Sequence, residues 1–217
     1  MTPAMTHHIT HHLPEPMLAD YAAGRLGHAF SVAVAAHVSL CDECRARLAA
    51  HEAAGGAVLE TLPPEPVSDD LMARVMARLD DPAAAPPEPP APSSIFPGPV
   101  MAALKGRPPR WRSLGMGIRQ SLLHAGKDGS LRLLYIPPGR AVPDHGHEGR
   151  ELTLVLQGAF HDETGHFGVG DIEVADASLE HTPVADEGTP CICLAATDAP
   201  LRFRALVPRL LQPIFRI

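Results

Sequence analysis

The chain has 217 residues, room for one large domain or two small ones, with few aromatics, 24 prolines and 13 histidines. A net charge of −7 argues against a general nucleic-acid binder, which needs a basic surface to displace phosphate counterions. The opening "MTPAMTHHITHHLPEP" lacks the basic start and apolar run of a signal peptide, and "HAFSVAVAAHV" falls far short of the roughly 18 residues that span a bilayer. A soluble cytoplasmic protein with no membrane partner is therefore expected.

Residues 1–80 are rich in alanine and leucine at helical spacing. "PEPMLADYAAGRL" predicts a helix from about Pro16, stopped near Gly24. "GHAFSVAVAAHV" predicts a second helix and "LCDECRARLAAHEAAGGAVLETL" a third. "PVSDDLMARVMARLDD" predicts a short fourth, with Ser68, Asp69 and Asp70 at its N-terminus and Leu71, Val75, Met76 and Leu79 recurring on one face. Residues 81–99, "DPAAAPPEPPAPSSIFPGP", then carry too many prolines for helix or sheet and predict an extended linker.

From residue 100 to 217 the pattern changes to short runs bounded by Gly and Pro: "LRLLYIPPG", "ELTLVLQG", "FGVGDIEVA", "CICLAAT" and "LRFRALVP". Such spacing predicts an antiparallel sandwich or barrel. In "ELTLVLQ", Leu152, Leu154 and Leu156 share one face and Glu151, Thr153, Val155 and Gln157 the other. A leucine face needs a cover, and the tail "LRFRALVPRLLQPIFRI", with Arg202, Arg204, Arg209 and Arg216, is one candidate to add a strand and wrap over it.

Four cysteines in a reducing compartment read better as metal ligands or buried thiols than as disulfides. Cys41 and Cys44 lie on one side of a helical turn, where the helix N-terminus stabilises thiolates. His37 stands one turn earlier and can close on the same point. Two thiolates and an imidazole suit tetrahedral zinc, which wants a fourth ligand; His7, His8, His11 and His12 are available upstream.

"HVSLCDEC" resembles the His-x3-Cys-x2-Cys signature of zinc-binding anti-sigma factors. That resemblance implies an all-α four-helix domain over residues 1–80 holding Zn2+ with an upstream histidine. His12, ahead of "DYAAG", matches the upstream position best, with His11 its rival, so the implied set is His12, His37, Cys41 and Cys44.

A second array lies in "GRAVPDHGHEGRELTLVLQG", where His145 and His147 share one strand face and a bend at Gly149 brings in Glu151. This looks like a cupin, a double-stranded β-helix or jelly-roll barrel. Its first motif is matched in full by Gly139, His145, His147, Glu151 and Gly158, and its second in part by Gly170 and His181. The implied cupin ligands are His145, His147, Glu151 and His181, for a second divalent metal with zinc preferred; three imidazoles and a carboxylate do not by themselves select one. His124, His161 and His166 fall outside the motif. Cys191 and Cys193 face the same way along "CICLAAT", about 7 Å apart on a strand, and are expected to be buried thiols without a mutual disulfide.

The order of these parts, a zinc module, a linker and a cupin, resembles the ChrR family of cytoplasmic anti-sigma factors. The resemblance implies a protein without catalytic activity that binds an extracytoplasmic-function (group IV) sigma factor 1:1. It implies, further, release under singlet oxygen or organic hydroperoxide stress through the cupin half. Five arginines against ten acidic side chains in residues 1–80 suit a basic protein partner. Leu71, Val75, Met76 and Leu79 are the expected docking residues. The alternative is a cupin metalloenzyme of the dioxygenase type, tethered to a zinc-binding module.

Overall fold

A computed structural model describes residues 8–81, 93–199 and 201–203. The helices come first: α1 (Glu15–Ala22), α2 (His28–Leu40), α3 (Asp42–Glu60), α4 (Leu71–Ala77) and α5 (Gly98–Ala103). Pro14 is extended and enters α1, and Gly24, at φ 66°, ends it in the left-handed region that only glycine adopts without strain. The helices forecast from sequence are all present, and α5 makes five rather than four. The fourth is shorter than its periodicity suggests, because Arg78–Asp80 turn out of it and leave Leu79 beyond its end.

The strands follow: β1 (Arg112–Gly115), β2 (Ile118–Gly126), β3 (Gly129–Ile136), β4 (His145–His147), β5 (Glu151–Gln157), β6 (Phe160–His161), β7 (His166–Phe167), β8 (Ile172–Ala175), β9 (Glu180–His181), β10 (Val184–Ala185), β11 (Cys191–Thr197) and β12 (Leu201–Phe203). A six-stranded sheet runs β1-β2-β3-β11-β5-β8, and two three-stranded sheets run β10-β6-β7 and β12-β4-β9. All the named pairings are antiparallel. This is the β-rich cupin half expected from residue 100 onward, and Leu201–Phe203 does add a strand, against β4.

Period-two alternation divides the large sheet into two faces. Inward, Ile118, Ile136, Val155, Cys191 and Cys193 pack with Phe160, Phe167 and Ala185 in one core. Outward, Leu131, Leu133, Leu152, Leu154, Leu156 and Leu194 join a second core with Leu18, Phe30, Val34 and Leu48 of the helices. The cover of the leucine face is therefore helical; the tail from residue 204, proposed for that job, lies outside the described residues. Helix α2 lies against β3, β5 and β11 on one side and α3 and α5 on another. Ala29, Ala33, Ala36 and His37, all fully buried, fall on one stripe of α2, and their small size lets the helix sit close to the sheet.

Polar contacts hold α2 at both ends. Its N-cap, Gly27, has no side chain to offer, and the His28 amide instead donates to Asp128 Oδ2, at 3.1 Å, from the turn between β2 and β3. Near its other end, His37 bonds the cupin half through Nδ1. The shared core extends across the expected linker's last residues, where Ile95 and Phe96 pack against it. Among the described residues no helix is long and apolar enough to cross a membrane.

Beyond residue 51 the chain leaves this body. From Glu52 to Asp81 every residue is exposed except Leu71, which is half-buried. The segment nevertheless carries Val58, Leu59, Leu62, Val67, Met72, Val75, Met76 and Leu79, all exposed. It forms an apolar arm whose helix α4 has no buried residue.

Candidate metal centres

The α2–α3 junction makes the first centre. Cys41 is extended and serves as the N-cap of α3, its Sγ accepting from the Cys44 amide at 3.4 Å. His12 Nδ1 lies 3.3 Å from Cys41 Sγ and 3.8 Å from Cys44 Sγ. The ligand atoms of His12, His37, Cys41 and Cys44 all fall within 4.8 Å of one another, so the cluster could hold a metal ion. A tetrahedral ion with bonds of about 2.0 Å to nitrogen and about 2.3 Å to sulfur spaces its ligands by about 3.3–3.8 Å, and His12 Nδ1 stands at that separation from both sulfurs.

The surroundings of each ligand fit the same reading. His37 is fully buried, its Nδ1 donates to the Gly170 carbonyl at 3.0 Å, and its Nε2 has no hydrogen-bond partner among the described residues. A buried, unpartnered nitrogen costs about 1–3 kcal/mol, an expense that coordination would remove. His12 turns Nε2 to Glu43 at 3.2 Å, leaving Nδ1 to the sulfurs. Both imidazoles thus have the outer oxygen partner that ligating histidines need to fix tautomer and orientation. Burial, aided by the neighbouring Cys41, pushes the Cys44 thiol up to about 11, and burial pulls the His37 imidazole down to about 4. Neutral His37 is ready to ligate, whereas Cys44 must lose a proton when an ion binds.

Of the described candidates for the upstream ligand, His12 alone reaches the cluster. His11 stacks its ring 4.3 Å from Phe167 and places Nδ1 near Asp171, and His8 is exposed. His7 lies outside the described residues.

In the cupin half, β4 pairs with β9 and sets His145 opposite His181. The side chains of His145 and His147 lie outside the described set. Glu151 is buried at the start of β5 on the inward face, where Oε1 accepts from the Thr153 hydroxyl at 2.9 Å. His181 is buried and its Nδ1 contacts Asp162 Oδ2 at 2.6 Å and Glu173 Oε1 at 3.3 Å. Asp162 and Glu173 were not foreseen, although the alternation of "DIEVA" already puts Glu173 on the inward face.

Asp162, Glu173 and His181 form a second cluster able to hold an ion. Their bonds to Nδ1 also orient the ring so that Nε2 faces away from both carboxylates. Burial alone would lower the His181 imidazole, but Glu173 and Asp162 together hold it up at about 9. Burial raises Glu173; Asp162 would also rise, but hydrogen bonds from Glu173, Thr164 and His181 take it down to about 2. A cation ligated by His181 must therefore displace a firmly held proton.

Cys191 and Cys193 are buried and free, as expected, but their sulfurs are much closer than the strand repeat suggested. Sγ–Sγ is 3.3 Å, beside the slip in register between β11 and β5 at Ile192 and Cys193. The contact with Cys191 and complete burial hold the Cys193 thiol well above its usual range, which favours the protonated form.

Residues 102–199 match the family model of the ChrR cupin-like domain. Over 216 residues the chain is 54% identical to the anti-sigma-E factor ChrR of Cereibacter sphaeroides, covering 96% of this chain and 99% of that one. The chain belongs to the ChrR family of anti-sigma factors. A crystal structure of Rhodobacter sphaeroides SigE in complex with the anti-sigma ChrR is also similar, with TM-score 0.78 at 53% identity over 88% of this chain and 100% of that one. In this ChrR-family chain the helical region with its His/Cys cluster and the β-rich cupin region are therefore both accounted for by one family.

Proposed function

We infer that the chain binds a group IV sigma factor, one to one, and silences it by covering the surfaces with which it engages polymerase. The exposed arm carries this reading: eight large apolar side chains between Val58 and Leu79 face solvent. An exposed apolar surface of this kind marks a site where a partner docks. Between residues 52 and 81 seven acidic side chains outnumber two arginines, which matches a basic, DNA-binding partner. Val75, Met76 and Leu79 are the docking residues, with Leu71 at the arm's half-buried edge. The structure of the related SigE–ChrR complex supports a sigma factor as the partner.

Zinc is the ion best suited to His12, His37, Cys41 and Cys44, since two thiolates and two imidazoles gathered at one point favour it. The ion ties the N-terminal segment to the α2–α3 junction, and so fixes the base from which the arm projects. A second divalent ion, with zinc preferred although three imidazoles and a carboxylate do not by themselves select it, is assigned to His145, His147, Glu151 and His181. The cupin half then serves as a sensor and not as an enzyme, releasing the sigma factor under singlet oxygen or organic hydroperoxide stress in the cytoplasm. Truncating it would strip away the leucine face and expose the apolar side of α2 that packs on it, so His181→Ala in the full chain is the cleaner test. That variant should still bind the sigma factor but fail to release it on hydroperoxide addition; normal release would remove the cupin from the pathway.

The binding itself is tested by co-expressing the chain with its cognate group IV sigma factor. An equimolar complex should co-purify, and Val75→Asp with Leu79→Asp should abolish it. A complex indifferent to those changes would exclude the arm as the docking surface.

A further inference from the structure

Ahead of α1, residues 8–14 have no regular secondary structure, yet His12 must be delivered to the sulfurs with sub-ångström accuracy. The contacts that place it come from two directions. Downstream, Leu13 is buried and its carbonyl accepts from Arg47 Nη2 at 2.9 Å. Upstream, the backbone is gripped by the cupin half: Asp171 Oδ1 accepts from the amides of Thr10 at 2.7 Å and His11 at 2.9 Å. The same carboxylate uses Oδ2 to accept from Gly168 N at 2.9 Å, which fixes it to its own turn. Asp171 is completely buried, so these charge-assisted bonds are not shared with solvent.

Its neighbour completes the grip. Gly170 gives its carbonyl to His37 Nδ1 and sits at φ 91°; a Cβ there would lie 2.5 Å from Ile9 Cδ1. Only glycine allows both the turn and the passage of Ile9 across it. One turn of the cupin half thus touches the backbone beside one histidine and the ring of the other.

We propose that Asp171 is a positioning residue for the helical metal centre, acting across the two halves of the chain by holding Thr10 and His11 so that His12 meets Cys41 and Cys44. The proposal rests on the reading of His12, His37, Cys41 and Cys44 as ligands. It makes the ion's affinity a property of both halves, and by linkage the bound ion tightens their docking in return. Residue 171 immediately precedes β8, and Glu173 on that strand contacts His181. The supports of both centres therefore lie two residues apart, one just before β8 and one on it.

The test uses the full chain loaded with Co2+, because among the described clusters only the helical one counts cysteines among its ligands and so gives a sulfur-to-cobalt charge-transfer band. Asp171→Asn keeps the shape but replaces the charged acceptor; Thr10→Pro removes one donor and leaves the cupin half untouched. Titration of that band should show the cobalt dissociation constant rising by about tenfold or more in both variants, the usual effect of losing an outer partner. Their ligand-field spectra should shift towards that of His12→Ala, a change that general destabilisation would not produce. If Asp171→Asn fails to fold, Thr10→Pro alone decides. Affinities within about twofold of the wild type with unaltered spectra would overturn the proposal. A wild-type chain without the band would instead overturn the ligand reading, and the proposal with it.

Discussion

Replacing Leu154 by alanine tests whether the helices and the sheet share one core. Leu154 is fully buried on the outward face of β5, which lies between β11 and β8. Leu→Ala changes in cores cost about 2.7–5 kcal/mol, rising with the cavity that remains. Collapse is restrained here, since Asp128 and Gly170 pin α2 at both ends. The upper part of that range, about 4 kcal/mol, is therefore expected. Were the helices merely tethered, Leu154 would be a surface residue and its loss would fall within about 0.5 kcal/mol. Urea unfolding of the full chain measures the difference, followed both by circular dichroism and by the fluorescence of its single tryptophan, Trp111, which packs against the shared core. A loss below about 1 kcal/mol, or two separate transitions in the wild type, would refute the reasoning.

Acid should destabilise the metal-stripped protein through His37. Burial depresses its folded pKa from 6.5 to about 4, so the unfolded chain binds a proton that the folded chain refuses: stability is complete above pH 6.5 and falls by about 1.4 kcal/mol per unit, about 3 kcal/mol in all, as pH drops to about 4. His37→Asn should lack that component in urea unfolding at several pH values, and an unchanged slope would contradict it. Val75→Asp and Leu79→Asp should leave the melting temperature within about 2 °C while each weakens sigma-factor binding by about 2 kcal/mol, roughly 30-fold, because exposed apolar groups stabilise only the complex; calorimetry decides. Asp128→Ala should cost about 1 kcal/mol by removing the acceptor for the His28 amide, and no change in unfolding free energy would show that α2 does not need that cap.

Much of this was readable because it is local. Gly24 ends α1, Cys41 begins α3, and the spacing of Cys41 and Cys44 places two sulfurs on one turn. The alternation in "ELTLVLQ" correctly separated Leu152, Leu154 and Leu156 from Glu151. What escaped was non-local. Thr10 and Asp171, or His37 and Gly170, are bonded partners far apart in the chain, and no periodicity connects them. Helix α2 did carry a hint, since "AFSVAVAAHV" is apolar almost all round, and such a helix is buried on every side. The opposite error was open at α4, where an apolar stripe that could have closed a helical core points instead to solvent.

Transcription from a promoter dependent on the cognate group IV sigma factor, in a purified system, tests the central claim most directly. One molar equivalent of the zinc-loaded chain should abolish the transcript, and His12→Ala should restore a substantial part of it. Full transcription in the presence of excess chain would contradict the account.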